Sequence, residues 1–169
     1  SAMWIGMLGG GVCKAITGDV NIHAEELNSV RERYQTSSVK SILYDDEEFY
    51  WMGIAGYGMI RYNSTDNSFL NYNELPSLKS LPYTSLVNTI IKRELTGEIC
   101  FGTWNNGVWI YNKHTGDVKT ITQMNERQFV DDCVFVLFED SKFNLWIGSR
   151  NGIYIYTANG VFYTLNEWL

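Results

Sequence analysis

Four short segments of the chain align with one another: Met3-Trp4-Ile5-Gly6, Tyr50-Trp51-Met52-Gly53, Ile99-Cys100-Phe101-Gly102 and Leu145-Trp146-Ile147-Gly148. Their closing glycines stand 47, 49 and 46 residues apart. After each glycine, a loop with at least one further Gly leads into a second apolar run, at 11–15, 58–62, 107–111 and 152–156. In the last three copies a polar turn follows, at 63–67, 112–116 and 157–160. A short run then closes each of those units, at 68–72, 118–122 and 161–165. One more run precedes the tryptophan motif, at 39–44, 86–91 and 133–138.

Each run is short, rich in β-branched and aromatic residues, and bounded by Gly, Asn, Asp or Ser, which is how strands are punctuated. Four strands per repeat at a period near 47 residues marks a propeller blade. The fold class is therefore all-β: four-stranded antiparallel blades, about four of them, forming a partial β-propeller over 1–169. The expected blades are about 3–24 (lacking its first strand), 39–72, 86–122 and 133–165. No window of a dozen residues keeps a helical period without a Gly or turn cluster. The best helical candidate, 24–34, is read as a loop or at most a helical turn.

The repeat makes physical sense residue by residue. A blade cannot bury both faces alone, so neighbours must stack on it. Trp4, Trp51 and Trp146 sit on the second strand, where a large apolar side chain fills the gap between blades. Gly6, Gly53, Gly102 and Gly148 let another backbone or ring approach closely. The glycines that open the third strand supply the positive φ of a tight hairpin. The third copy carries Cys100 in place of Trp, and Phe101, Trp104 or Trp109 is expected to fill that space.

These copies resemble the two-component regulator propeller repeat: an apolar strand, an acidic turn, Leu-Trp-Ile-Gly-Thr, a Gly-rich turn, Gly-Leu and an Arg-Tyr-like pair. The fourth copy is nearest, with Glu139-Asp140, Asn144-Leu145-Trp146-Ile147-Gly148-Ser149 and Asn151-Gly152-Ile153. The second has Asp45-Asp46, Trp51-Met52-Gly53 and Gly58-Met59-Ile60-Arg61-Tyr62. The third keeps Gly102-Thr103 and Asn106-Gly107-Val108, and the first Trp4-Ile5-Gly6 and Gly9-Gly10-Gly11-Val12. The resemblance implies a sensor. In that family such repeats build paired seven-bladed propellers in the periplasmic region of membrane-bound hybrid two-component systems, which detect oligosaccharides and signal to a histidine kinase. Four copies fall short of seven blades, so the chain is expected to be a segment of such a sensor, periplasmic in location. Nothing in it resembles a kinase, a receiver or a DNA-binding domain, and no enzymatic activity is expected of it.

Composition narrows the partners. The chain has 13 basic and 19 acidic residues, a net charge of −6, which argues against nucleic acid and against an anionic membrane surface. No apolar stretch approaches the roughly 18 residues of a membrane span. Ser1-Ala2-Met3 runs straight into a strand-like segment without the charged start of a signal peptide. The cysteines, Cys13, Cys100 and Cys133, form no C-x-x-C pair, so neither a metal nor a redox signature is present.

The remaining chemistry-bearing residues read as structural. His23 and His114 have no metal-ligand partner at useful spacing, and His114 is a turn residue. The acidic run 45–48 lacks the alternation of a calcium loop and reads as a solvated hairpin. The carboxylate pairs Asp131-Asp132 and Glu139-Asp140 fall in an interblade loop and in the repeat's own turn. Gly9-Gly10-Gly11 has no Lys-Ser/Thr after it to bind phosphate. No catalytic residue, metal site or cofactor is assigned.

One group stands out as a ligand site. Tyr57, Trp104, Asn105 and Asn106 lie in loops joining second and third strands, with Arg150 and Asn151 in the corresponding loop of the fourth blade. Rings beside Asn and Arg supply a flat apolar face for a sugar and fixed polar groups for its hydroxyls. A neutral or weakly charged oligosaccharide suits the net charge better than a sulfated one. A second expected partner is another copy of the chain. A run of blades leaves apolar faces at its ends, which favours self-association.

Overall fold

A computed structural model describes residues 2–7, 11–16, 24–26, 38–45, 48–84, 86–121, 123–124, 127–128 and 133–169. The side chains of Trp4 and of the other residues of 2–26, and the readings on Gly9-Gly10, His23, Asp46-Glu47 and Asp131-Asp132, lie outside that description.

The described residues form three complete four-stranded antiparallel sheets and one three-stranded sheet. The three-stranded sheet has β1 (Ala2–Met7), β2 (Gly11–Ile16) and β3 (Ala24–Glu26), paired in that order. Blade two has β4 (Val39–Asp45), β5 (Phe49–Ile54), β6 (Gly58–Asn63) and β7 (Phe69–Asn71). Blade three has β8 (Val87–Lys92), β9 (Ile99–Thr103), β10 (Val108–Tyr111) and β11 (Val118–Ile121). A small hairpin of β12 (Gln123–Met124) and β13 (Arg127–Gln128) follows. Blade four has β14 (Val134–Glu139), β15 (Leu145–Ser149), β16 (Gly152–Tyr156) and β17 (Phe162–Thr164). The chain ends in a short helix, α1 (Leu165–Trp168). These are partial propeller blades, each a simple up-and-down meander.

Two elements differ from the sequence expectation. Ala24–Glu26, read as loop or helical turn, is a strand paired with β2. The free edge of β2 offers backbone partners, whereas an isolated helix of eleven residues is marginal in water. The run 161–165 stops being a strand at Thr164. There the Thr164 hydroxyl accepts the Glu167 N–H while the Glu167 carboxylate accepts the Thr164 N–H, a capping box that starts α1.

Strand alternation sorts the side chains onto two faces. In blade two, Trp51 and Met59 face blade three, while Met52, Ile54, Ile60 and Tyr62 form a cluster on the opposite face. In blade three, Ile99, Phe101 and Trp109 pack with Trp51, and Cys100, Val108 and Ile110 pack on the other side against Leu137, Leu145 and Ile147 of blade four. The space left by Cys100 is therefore not filled by Phe101 or Trp109, which point the opposite way. Trp104 lies beyond the end of β9. Blade four itself closes over Cys100, and burial pushes that thiol up to about 12, where it stays protonated.

The motif glycines set how close the blades come. A Cβ on Gly53 would lie 2.0 Å from the Val87 carbonyl oxygen of blade three and 2.6 Å from Ser41 Oγ. A Cβ on Gly102 would lie 2.8 Å from a Val134 methyl of blade four. Gly148 meets only a methyl of Val136, in its own blade, at 2.5 Å. Gly58 and Gly107, which open third strands, have φ of +76° and +62°, as a tight hairpin requires.

At the hairpin end of the blades, charges bridge the same interfaces. Asp45 is buried, with Lys113 Nζ at 2.7 Å and Lys92 Nζ at 3.5 Å, both from blade three. This corrects the reading of Asp45 as part of a solvated hairpin: the carboxylate faces the neighbouring blade, and the lysines compensate its burial. Arg93 Nε donates to Glu139 at 2.8 Å, and its Nη2 donates to the Phe143 carbonyl, joining blades three and four. Asp140 accepts the Lys142 and Asn144 N–H groups and the side chains of Asn144 and Trp146, all within 3.0 Å. Burial pushes its carboxyl up, but these bonds, led by that from Trp146, outweigh it and bring the pKa down to about 2.

Two measurements follow from this packing. Gly53→Ala forces a methyl against a backbone carbonyl of the next blade and costs roughly 1–3 kcal/mol. Gly148→Ala meets a rotatable methyl and costs less. Urea unfolding of both variants checks the order. The Asp140 carboxylate binds no proton in the folded state until well below its ordinary value of 3.8. Its stabilisation is therefore full above that value and lost as pH falls toward about 2. Asp140→Asn should flatten the pH dependence of stability over that interval, and an unchanged slope would assign the acid sensitivity to other carboxylates.

Candidate functional site

The opposite end of the blades carries the loops that join second and third strands. All three are pinned alike to the residue before the first strand. The Ala55 N–H donates to the Ser38 carbonyl at 2.9 Å, Trp104 to Leu86 at 3.0 Å and Arg150 to Cys133 at 3.1 Å. Ala55, Trp104 and Arg150 thus occupy one structural position in successive blades. Each first strand then breaks register at its second residue, so Lys40, Asn88 and Phe135 stand at bulges. A bulge re-aims the side chain it carries, and bulges gather beside functional sites.

Local hydrogen bonds fix these loops. Thr103 Oγ1 accepts the Asn106 N–H at 2.8 Å and donates to the Gly107 carbonyl. Ser149 Oγ does the same for Asn151 and Gly152 in blade four, at 3.2 Å each. A hydroxyl at the end of the second strand is thus the local device that shapes the turn.

Trp104 is 41% exposed. Phe135 meets its ring edge-on, at 6.2 Å between centroids and 79° between planes. The Arg150 guanidinium carbon lies 5.5 Å from the Trp104 ring centroid. Asn106 Nδ2 donates to the Tyr83 carbonyl at 2.8 Å and to Asn105 Oδ1 at 3.2 Å. The exposed ring of Tyr83 therefore belongs to a residue tied to the same loop. The linker that brings Tyr83 there is anchored by buried Leu75 and Leu78, and by Tyr72, whose hydroxyl accepts the Thr84 N–H.

The structure thus joins Trp104, Asn105, Asn106 and Arg150 in one patch across blades three and four. Tyr57 is not in it: its ring packs against the Met52 and Ile60 cluster of blade two, and its carbonyl accepts from Asn71. Asn151 is exposed at the tip of the fourth loop and lines a separate cleft of about 430 Å³ with Ile153, Tyr154, Thr164 and Asn166. Two members were missed from sequence. Phe135 looks like a core residue until the bulge turns it outward. Tyr83 stands in the linker, where only the tertiary path shows its destination.

The patch offers aromatic faces, two carboxamides and a guanidinium. Its chemistry is recognition through stacking and hydrogen bonding. Among the described residues no three His, Cys, Asp or Glu side chains gather where a metal ion would sit. No helix of the described residues is long and apolar enough to cross a membrane.

No family model and no curated protein matches this chain. Solved structures do. It is similar to the extracellular domain of the hybrid two-component system BT3049 from B. thetaiotaomicron, with TM-score 0.68 and 19% identity, over 96% of this chain and 21% of that one. The extracellular domain of BT4673 from the same organism gives TM-score 0.64 and 18% identity, over 92% of this chain and 20% of that one. PorZ, a surface component of the type-IX secretion system of Porphyromonas gingivalis, gives TM-score 0.63 and 17% identity, over 94% and 24%. The chain spans about a fifth to a quarter of the length of these proteins. Over the stretch it covers, the chain has the fold of those extracellular domains, a succession of four-stranded propeller blades.

Proposed function

We propose that this chain is part of the extracytoplasmic, periplasmic sensor region of a hybrid two-component system. It recognises an oligosaccharide and passes that event to a histidine kinase elsewhere in the full protein. The role is recognition, with no reaction catalysed by these residues. The observation that carries the reading is the half-exposed Trp104 ring, flanked by Phe135 and by the Arg150 guanidinium and next to the Asn105 and Asn106 amides. The likeness in fold to two extracellular sensor domains supports the setting.

A sugar has one relatively apolar ring face and a rim of hydroxyls. Trp104 offers the surface for the first, while the amides and the guanidinium offer donors for the second. The pinned loops hold these groups in place before a ligand arrives, which lowers the entropy lost on binding.

A second reading has its own observation. Asn106 already donates to Tyr83 and Asn105, and Trp104 already packs on Phe135, so the patch also braces blade three against blade four. In that reading the blades are a scaffold without a ligand.

Calorimetric titration with neutral gluco-, xylo-, manno- and galacto-oligosaccharides and with uronate-containing ones separates the two. Trp104→Ala should weaken a bound glycan about tenfold, the size of one lost stacking contact, with unchanged far-ultraviolet circular dichroism. A glycan bound equally well by Trp104→Ala would overturn this placement of the site. Binding of none of the panel, together with a large loss of stability in Trp104→Ala, would favour the brace.

A further inference from the structure

We propose that the outer face of blade four is a docking surface for a second copy of this chain, face to face. The argument starts from the repeat. At two blade interfaces the face carrying the motif residue is covered by the next blade. Trp51 and Met59 lie under Val87 and Ile90, and Cys100 and Val108 lie under Val134 and Leu137. Both motif glycines there take an atom of the next blade into the space of the missing Cβ, the Val87 oxygen at Gly53 and a Val134 methyl at Gly102.

Gly148 is the equivalent residue of blade four, and it meets only its own Val136. The strand register puts Val136, Gly148 and Ile153 in one row of this face, and Phe138, Trp146, Ile155 and Tyr163 in the next. Val136, Phe138 and Ile153 are 55%, 61% and 42% exposed. Helix α1 covers part of the face by laying Trp168 against Trp146, at 6.4 Å, and Tyr163, at 5.4 Å. It leaves the Val136–Phe138–Ile153 row open.

The occupant follows from what this face offers and what the chain has left to give. No residue of these two rows is charged, so two copies meet here without like-charge repulsion despite the net charge of −6. The first strands β4, β8 and β14 each already lie against the preceding blade, so none is spare to cover this face. A two-fold arrangement satisfies both copies at once, because the same patch serves on each side and Gly148 leaves a shallow seat for a branched side chain of the partner. This inference is independent of the glycan reading, since the face lies on the other side of blade four from its contacts with blade three.

Multi-angle light scattering of the 169-residue chain over a range of concentrations tests it. The expected result is a mass that rises toward twice 19.4 kDa and levels off there. Phe138→Glu and Ile153→Glu alter exposed residues, so the fold should survive, as circular dichroism will show. Each should weaken dimerisation at least tenfold by setting like charges across the two-fold. Leu95→Glu, on an exposed hairpin away from this face, should leave the mass unchanged. A monomer at every concentration overturns the proposal. So does a dimer indifferent to Phe138→Glu, or a mass that climbs past two copies without limit, which would mean head-to-tail stacking.

Discussion

The close approach of one blade's second strand to the next blade's first strand governs the rest of this molecule. It depends on a missing side chain. At Gly53 the neighbouring backbone oxygen stands 2.0 Å from where a Cβ would be, so no other residue fits without moving a strand. Once that distance is set, the apolar side chains on either side fall into register. Trp51, Phe101 and Trp109 then share a single cluster, with Trp51 and Phe101 rings 5.4 Å apart. Dispersion and burial do the stabilising, but the glycine decides the spacing at which they operate.

The two ends of the blades divide the polar work. At the hairpin end, buried charges are matched across interfaces: Asp45 with two lysines, Arg93 with Glu139. Such pairs add little net stability but strongly penalise any arrangement that separates them, so they select one stacking geometry. At the loop end, polar groups stay at the surface, held by repeated backbone bonds and by Thr103 and Ser149 hydroxyls. Blades two and four also show one position used in two ways. An Asp stands six residues before the motif Trp in both. In blade four it binds Trp146 Nε1, whereas in blade two it is taken by lysines, and the buried Trp51 Nε1 has no partner. Local capping yields to interblade charge pairing when a cation is within reach.

Much of the fold was legible in the sequence because it is a repeat. Period, motif and turn residues all act within about fifty residues, and each copy confirms the others. The second-strand position of the tryptophans and the close approach at the glycines follow from that pattern alone. The failures are equally specific. Asp45 looked solvated because its partners, Lys92 and Lys113, are far away in the chain. Cys100 looked like a gap to be filled locally, but strand alternation sends Phe101 and Trp109 to the other face. Phe135 looked like a core residue because a one-residue bulge is invisible without the partner strand.

What the sequence determined by itself is the unit: a four-stranded antiparallel blade, its copy number, and the residues that allow blades to stack. These are local properties, set by side-chain alternation, turn chemistry and the absence of a Cβ. What only the tertiary structure decided is which loops meet and which face is left uncovered. Trp104 and Arg150 hold the same position in successive blades, and they touch because the stacking angle brings those positions within 5.5 Å. Tyr57, in the neighbouring loop of blade two, packs inward instead. The angle between blades is the sum of many interface contacts, and no single segment of the chain encodes it.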